Sequence, residues 1–273
     1  MKTSARWQRT AKSAAAAGKR TLKSKMAKTR HLARHPRIRQ HIPETRLLTR
    51  ATLARMLHQY GAVYVKPIKG THGQGVMRAE RLTGNGAKTR YRYQLGTKAL
   101  SFATFDRLYS SMMRSKLRRR YLVQRGIPLL TYRNRRFDVR VMVQRTSRLP
   151  WRTTGYIGRL GHPKYIVTNY HSEGTPLALE RLLSPYMHGI SKTRYIGSLR
   201  RLGLGIAKHL GAKYRNLREI GVDLGIDQRL RPWLIEVNTA PDPYIFKELK
   251  DKRMYRTALR FSQANGRYTS TKR

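Results

Sequence analysis

Two carboxylates of this chain lie inside apolar runs. Asp223 sits in Ile220-Gly221-Val222-Asp223-Leu224, and Glu236 in Leu234-Ile235-Glu236-Val237-Asn238. Burying an ionised carboxylate is costly unless a cation offsets it. Two carboxylates and the Asn238 amide oxygen form a hard oxygen set suited to Mg2+, which keeps waters and bridges phosphates. Glu236 and Asn238 are two residues apart, so on a strand they share a face. The same acids would also serve as ion-pair partners for the abundant arginines, since ion pairs populate such positions too.

A second set of residues suits phosphate. In the loop Gly70-Thr71-His72-Gly73-Gln74-Gly75, small residues let backbone N–H groups approach phosphate oxygens as an anion nest. Lys66, just upstream, can meet a phosphate as a point charge. The loop runs on into a strand and lacks a Gly-Lys-Ser/Thr ending, which argues against a Walker P-loop and a Rossmann turn. In Phe137-Asp138-Val139-Arg140, Asp138 and Arg140 share the strand face opposite the apolar one. Arg140 could stabilise charge developing on a transferred phosphoryl group; alternatively the two form a surface ion pair. A polar loop, Thr168 to Thr175, holds Asn169, His171 and Glu173. His72 and His171 are read as solvent-facing loop histidines. His31 and His35 have helical spacing, but with no acid beside them and no cysteine in the chain they make no zinc site.

Alternating and helical patterns place these residues. Arg46 to Tyr60 is expected as an amphipathic helix, with Leu47, Leu48, Ala51, Ala54 and Leu57 on one face. Ala62 to Val65 is a strand leading into Lys66-Pro67, and Val76–Arg81 and Tyr91–Leu95 are two more, joined by a turn at Gly84-Asn85-Gly86. Ser101 is expected to cap a helix reaching about Arg119. Tyr121–Gln124, Phe137–Arg145 and Thr153–Arg159 read as strands, the last two as an antiparallel pair. Ser191 to about Leu210 is a basic helix, and Ile220–Ile226 and Trp233–Val237 are the strands that carry Asp223 and Glu236. A helix and a tail follow Lys250.

Against 60 Lys and Arg there are 13 Asp and Glu, a formal charge of +47 on 273 residues. Such self-repulsion favours a polyanionic partner. Hydrophobic residues at 39%, with 16 Tyr, are enough for a core and exclude a wholly disordered chain. The absence of cysteine excludes a disulfide framework, a Cys-ligated cluster and thiol catalysis. No stretch approaches the ~18 apolar residues of a membrane span. Residues 1–45 read as a basic, disordered arm that contacts a polyanion, nucleic acid included, through its charge. The arm also has a superficial likeness to a transit peptide. The expected organisation is this arm, a smaller lobe over 46–125, a larger lobe over 126–258 and a basic tail over 259–273.

In this order, Tyr64-Val65-Lys66-Pro67, Gly70–Gly75, Tyr121–Ile127, Phe137–Arg140, Val167-Thr168-Asn169, Gly221–Asp227 and Trp233–Asn238 resemble the ATP-grasp superfamily. Within it they resemble the YheC/YheD-type endospore coat-associated proteins. The resemblance implies an α+β fold in which two lobes grip ATP. It implies that Lys66 contacts the phosphates, with Gly70, Thr71, Gly73 and Gly75 over them, and that Gln124, Gly126 and Ile127 meet the adenine. It places Arg140 and Asn169 at the γ-phosphate or an acyl phosphate, and Mg2+ on Asp223, Glu236 and Asn238. The implied reaction is carboxylate–amine ligation through an acyl phosphate, on an acidic peptide, polymer or coat protein, in the cytoplasm or at the spore. The chain departs from the family pattern in lacking room for an N-terminal α/β domain, in Ser172-Glu173-Gly174 after the Asn loop, and in Thr239-Ala240-Pro241-Asp242 after Asn238. These departures lie on the acceptor side. They leave open an alternative, a non-catalytic polyanion-binding or spore structural protein on the same scaffold.

Overall fold

The computed structural model describes residues 24–70, 73–84, 89–166 and 174–268. In chain order the elements are α1 (Lys25–Leu32), α2 (Pro36–Arg39), β1 (Thr45–Leu47), α3 (Arg50–Tyr60), β2 (Ala62–Pro67), β3 (Met77–Leu82), β4 (Arg90–Leu95), β5 (Lys98–Phe102) and α4 (Phe105–Ser115). Then follow β6 (Tyr121–Arg125), β7 (Thr131–Tyr132), β8 (Arg135–Gln144), β9 (Arg152–Leu160), β10 (Thr175–Leu177), α5 (Leu179–Leu182), α6 (Gly189–Lys213), β11 (Glu219–Ile226) and β12 (Pro232–Asn238). A 3-10 turn (Pro243–Glu248) and α7 (Arg253–Ala264) complete them.

Two antiparallel sheets result. The first runs β1-β6-β2-β3-β4-β5, and the second β10-β9-β8-β11-β12, with β7 paired to β8. Helices α3 and α4 cover the first sheet, burying Leu53, Met56, Leu57, Leu108 and Met112 against Val63, Val65, Met77 and Tyr93. Helix α6 covers one face of the second, where Phe137, Val139, Val141 and Val143 alternate inward from β8. The opposite face of β8 is divided. Met142 lies under α7 and the 3-10 turn, packed with Phe246 and Ala258. Asp138, on the same face, lines an open cleft between the sheets. Period-2 alternation thus sends one face to a core and the other partly to a site.

Three sequence expectations need correction. The first turn of α3 begins at Arg50, because Thr49 and Thr52 form a reciprocal capping box; Leu47 belongs to strand β1, paired with Leu122. Ser101 lies in β5, paired with Arg92, and Thr104 caps α4 instead, accepting from the Arg107 N–H at 3.4 Å.

The third concerns the arm, which was expected to be disordered over 1–45. Its part from Ser24 onward is ordered. The Ser24 hydroxyl accepts from the Ala27 N–H and starts α1. Leu32 and Ile38 are 1% and 3% exposed in the larger core, each worth roughly 1.5–3 kcal/mol of burial. Residues 40–42 then lie along the edge of β12, where the Leu234 N–H donates to the His41 carbonyl at 2.7 Å. The seam between α1 and α6 is made of histidine. His31 stacks on His209 with centroids 4.4 Å apart and planes 13° apart, and His35 meets His209 edge-on at 5.0 Å. Burial lowers the His31 pKa, with His209, Lys213 and Arg34 adding repulsion against a backbone hydrogen bond that raises it. The remainder of the arm lies outside the described residues.

Candidate functional site

The cleft between the sheets has a volume of about 390 Å3. Lys66 is the penultimate residue of β2, the third strand from the β1 edge, and is 8% exposed. Its ammonium donates to Gln124 Oε1 at 2.6 Å and to the Ile235 carbonyl at 3.2 Å. Both partners are neutral. Burial pushes the Lys66 pKa down to about 8; Glu236 and Asp223 raise it and Lys25 lowers it further.

The carbonyl is available because β12 bulges. Asp223 pairs with Glu236 and Leu224 with Leu234, so Ile235 is an extra residue on β12. A bulged residue is left out of the ladder and re-aims its neighbours. Here Ile235 and Glu236 both line the cleft, while Leu234 and Val237 stay in the core.

The glycine loop forms one rim. Gly73 and Gly75 have φ of 73° and 71°, the left-handed region that glycine enters without a Cβ clash. At Gly75 a Cβ would also meet the Tyr121 hydroxyl at 2.7 Å. Gly70 has room for a side chain, with Pro67 its nearest neighbour at 3.6 Å. Thr71 lies outside the described residues, as does His72.

At the expected adenine edge the roles divide. Ile127 is buried and lines the cleft. Gln124 lines it too, but its amide is committed, accepting from Lys66 and donating to Thr45 Oγ1 at 3.0 Å. Gly126 serves close packing: its N–H donates to the Ala62 carbonyl at 2.9 Å, and a Cβ would sit 2.8 Å from that oxygen.

The second sheet carries a buried ion network. Strand register places Arg140 opposite Asp223 and Asp138 opposite Arg159. Arg140 grips Asp223 in a fork, one arm through Nε and the other at 3.0 Å from Oδ2. Arg159 donates from Nε to Asp138 at 2.7 Å and lies 2.9 Å from Asp223 Oδ2. Burial would raise the Asp223 pKa, but the two guanidiniums outweigh it and hold it below the usual carboxylate range. Burial lowers the Arg159 pKa, and Asp138 and Asp223 more than restore it.

Arg140 was the guanidinium expected at the phosphates. In the structure Arg159 lines the cleft and Arg140 stands behind Asp223. Strand alternation on β9, paired with Asp138 on β8, was the signal for Arg159. Asn169 lies outside the described residues.

Glu236 faces the cleft with a half-exposed side chain, ion-paired to the ammonium of Lys25 from α1. Lys28, one turn on and 7% exposed, donates to the Val237 carbonyl. Neither lysine had a sequence signal. Asn238, two residues beyond Glu236, uses its Oδ1 locally to accept from the Ala240 N–H at 2.9 Å. Among the described residues no group of three or more His, Asp or Glu could hold a metal ion. What remains is the facing pair Asp223 and Glu236. Hard oxygens on one cleft wall, with an ammonium already drawn to one of them, fit a divalent cation.

A family model described as YheC/D like ATP-grasp matches residues 15–264. The chain belongs to that family. It is 25% identical to the endospore coat-associated protein YheD of Bacillus subtilis (strain 168) over 224 residues, 79% of this chain and 47% of YheD. It is 23% identical to YheC of the same organism over 230 residues, 81% of this chain and 61% of YheC. The chain therefore spans about half to three-fifths of the length of these relatives. Among solved structures, the D-cycloserine synthetase DcsG superposes with a TM-score of 0.51 at 13% identity, over 89% of this chain and 68% of DcsG. That likeness is one of fold: α+β, ATP-grasp. The family implies that the cleft takes ATP. No described helix is long and apolar enough to cross a membrane.

Proposed function

We propose that this chain is an ATP- and Mg2+-dependent ligase that joins a carboxylate to an amine. The observation that carries this reading is the pairing of two unlike walls in one cleft. One presents a buried ammonium, Lys66, held by neutral oxygens. The other presents the Asp223–Glu236 pair and Arg159. A polyphosphate would give Lys66 the anionic partner it lacks. Mg2+, held by Asp223 and Glu236, would supply charge neutralisation at the phosphate oxygens.

The chain's own groups have separable tasks. Lys66 and the Gly70–Gly75 N–H groups bind phosphate, and Thr71 lies within that loop. Ile127 offers an apolar surface to the base. Arg159 donates to the transferred phosphoryl group, while Arg140 fixes Asp223. Asn169 is assigned to the acyl phosphate through its place in the family motif. The substrate carboxylate oxygen attacks the γ-phosphorus and ADP leaves. The amine then attacks the acyl carbon, the C–O bond to phosphate breaks, and the amine loses a proton. Positioning and charge stabilisation account for such chemistry without a protein nucleophile.

The +47 charge supports an acidic substrate, such as an acidic peptide, polymer or coat protein. The relatives' names support a place at the spore. The same charge favours a second reading, a polyanion-binding or structural protein on this scaffold, with nucleic acid bound through its backbone. Thermal shift with ATP and Mg2+ separates these readings. Wild type should gain melting temperature, and Lys66→Met and Glu236→Ala should lose most of that gain. ADP release with a panel of acidic peptides and amines then tests catalysis. No ATP-dependent shift in wild type would sink the ligase reading.

A further inference from the structure

Three ammonium groups converge behind the carboxylate pair, and two of them come from α1. Lys66 is the one expected from sequence. Lys25 is ion-paired to Glu236, and Lys28 is bonded to the next carbonyl. Lys25 is not a mobile surface lysine: its side chain is only 14% exposed. Its own N–H donates to the Ile68 carbonyl at 3.2 Å, two residues before Gly70. The helix that delivers it is capped by Ser24 and anchored by Leu32 in the core. Helix α1 thus ties the base of the glycine loop on one sheet to the bulge of β12 on the other.

The two carboxylates are unequally compensated. Asp223 has both oxygens in contact with guanidinium groups. Glu236 is the more exposed of the two, at 36% against 10% for its side chain, and its ion-pair partner among the described residues is Lys25. A divalent cation bound at Glu236 would stand where that ammonium stands. Two cations cannot share the position without strong repulsion.

We propose that Lys25 is a tethered counter-ion of the nucleotide site. It holds the cation position on Glu236 in the free protein and yields it to the metal. Lys25 then swings to a phosphate oxygen, within the cleft it already lines. The inference rests on the nucleotide and metal reading given above. Its consequence is that metal and α1 compete for one carboxylate, while α1 and the nucleotide cooperate.

The test is titration of the full-length chain with Mn2+ alone, followed by electron paramagnetic resonance or calorimetry. Lys25→Met keeps the apolar stem and removes the charge. It should bind Mn2+ at least tenfold more tightly than wild type. In the presence of saturating Mn2+ it should bind ATP several-fold more weakly. Unchanged or weaker Mn2+ affinity in Lys25→Met overturns the proposal. Hydrogen exchange on wild type gives a readout independent of the variant: Mn2+ should speed exchange at the Lys25 amide, and an unaltered rate overturns it as well. Glu236→Gln separates the two levels. If it binds Mn2+ as wild type does, the carboxylate is not the metal site and the underlying reading fails.

Discussion

The two walls of the cleft treat charge in opposite ways. On the cleft face of the second sheet, the buried charges pair with buried opposites: Arg140 and Arg159 with Asp223, and Arg159 with Asp138. On the first sheet the buried ammonium of Lys66 has only neutral oxygens. The acids of that half are engaged elsewhere: Glu44 at the periphery with Tyr60, Arg55 and Arg46, Glu80 with Arg78, and Asp106 with Arg50. One wall is neutralised in advance. The other is left short of an anion, which supports the proposal that it binds one. Buried pairs contribute little net stability, yet removing one partner is severe.

The largest expected effect breaks the neutralised wall. Asp223→Ala strips the shared partner from two buried guanidiniums, and urea denaturation should show a loss of about 3–5 kcal/mol. Lys66→Met tests the other wall. Its urea midpoint should stay level or rise, since an unpaired buried charge is removed, while ATP affinity in calorimetry drops by about 10- to 100-fold. A parallel loss of stability would erase the contrast. Gly126→Ala sharpens it by attacking geometry without charge: the Cβ at 2.8 Å from the Ala62 carbonyl should cost about 1–3 kcal/mol.

The smallest effect is peripheral. Hydrogen bonds from Tyr60, then Arg55, hold the Glu44 pKa down at about 2. Its contribution is present above the unfolded value and is lost as pH falls through the folded one. Glu44→Gln should therefore cost about 1 kcal/mol near neutrality, discounted for exposure. The gap between variant and wild type should close on approach to pH 2.

The alternating strands made much of this readable. Acids inside apolar runs located β11 and β12, because a carboxylate there needs a reason. The inward alternation of Phe137, Val139, Val141 and Val143 implied that Asp138 and Arg140 face the other way. Three features were not legible. The bulge at Ile235 depends on the register between two strands and leaves no mark in composition. The exchange of Arg140 for Arg159 at the cleft follows from how the strands pair, with Arg140 opposite Asp223 and Arg159 opposite Asp138, a tertiary fact. Residues 24–45 have no amphipathic stripe; they are held by single residues, Leu32 and Ile38, and by backbone bonds to β12. A charge-rich segment with two anchors looks like a tail until its docking surface is known.

The histidine seam under α1 makes the fastening of that segment depend on protons. Burial lowers the His31 pKa from its ordinary value of 6.5. For a base whose folded pKa is lowered, the contribution is intact above the unfolded value and fades as pH falls. His209 shares the stack, and Lys213 and Arg34 oppose any added charge. Detachment of α1 should therefore take up protons, and the exchange protection factors over residues 25–32, corrected for the intrinsic pH dependence, should fall from pH 7 to pH 5 before those of the sheets. Acidity would then act as a solvent-borne release for a helix that bridges both halves of the molecule.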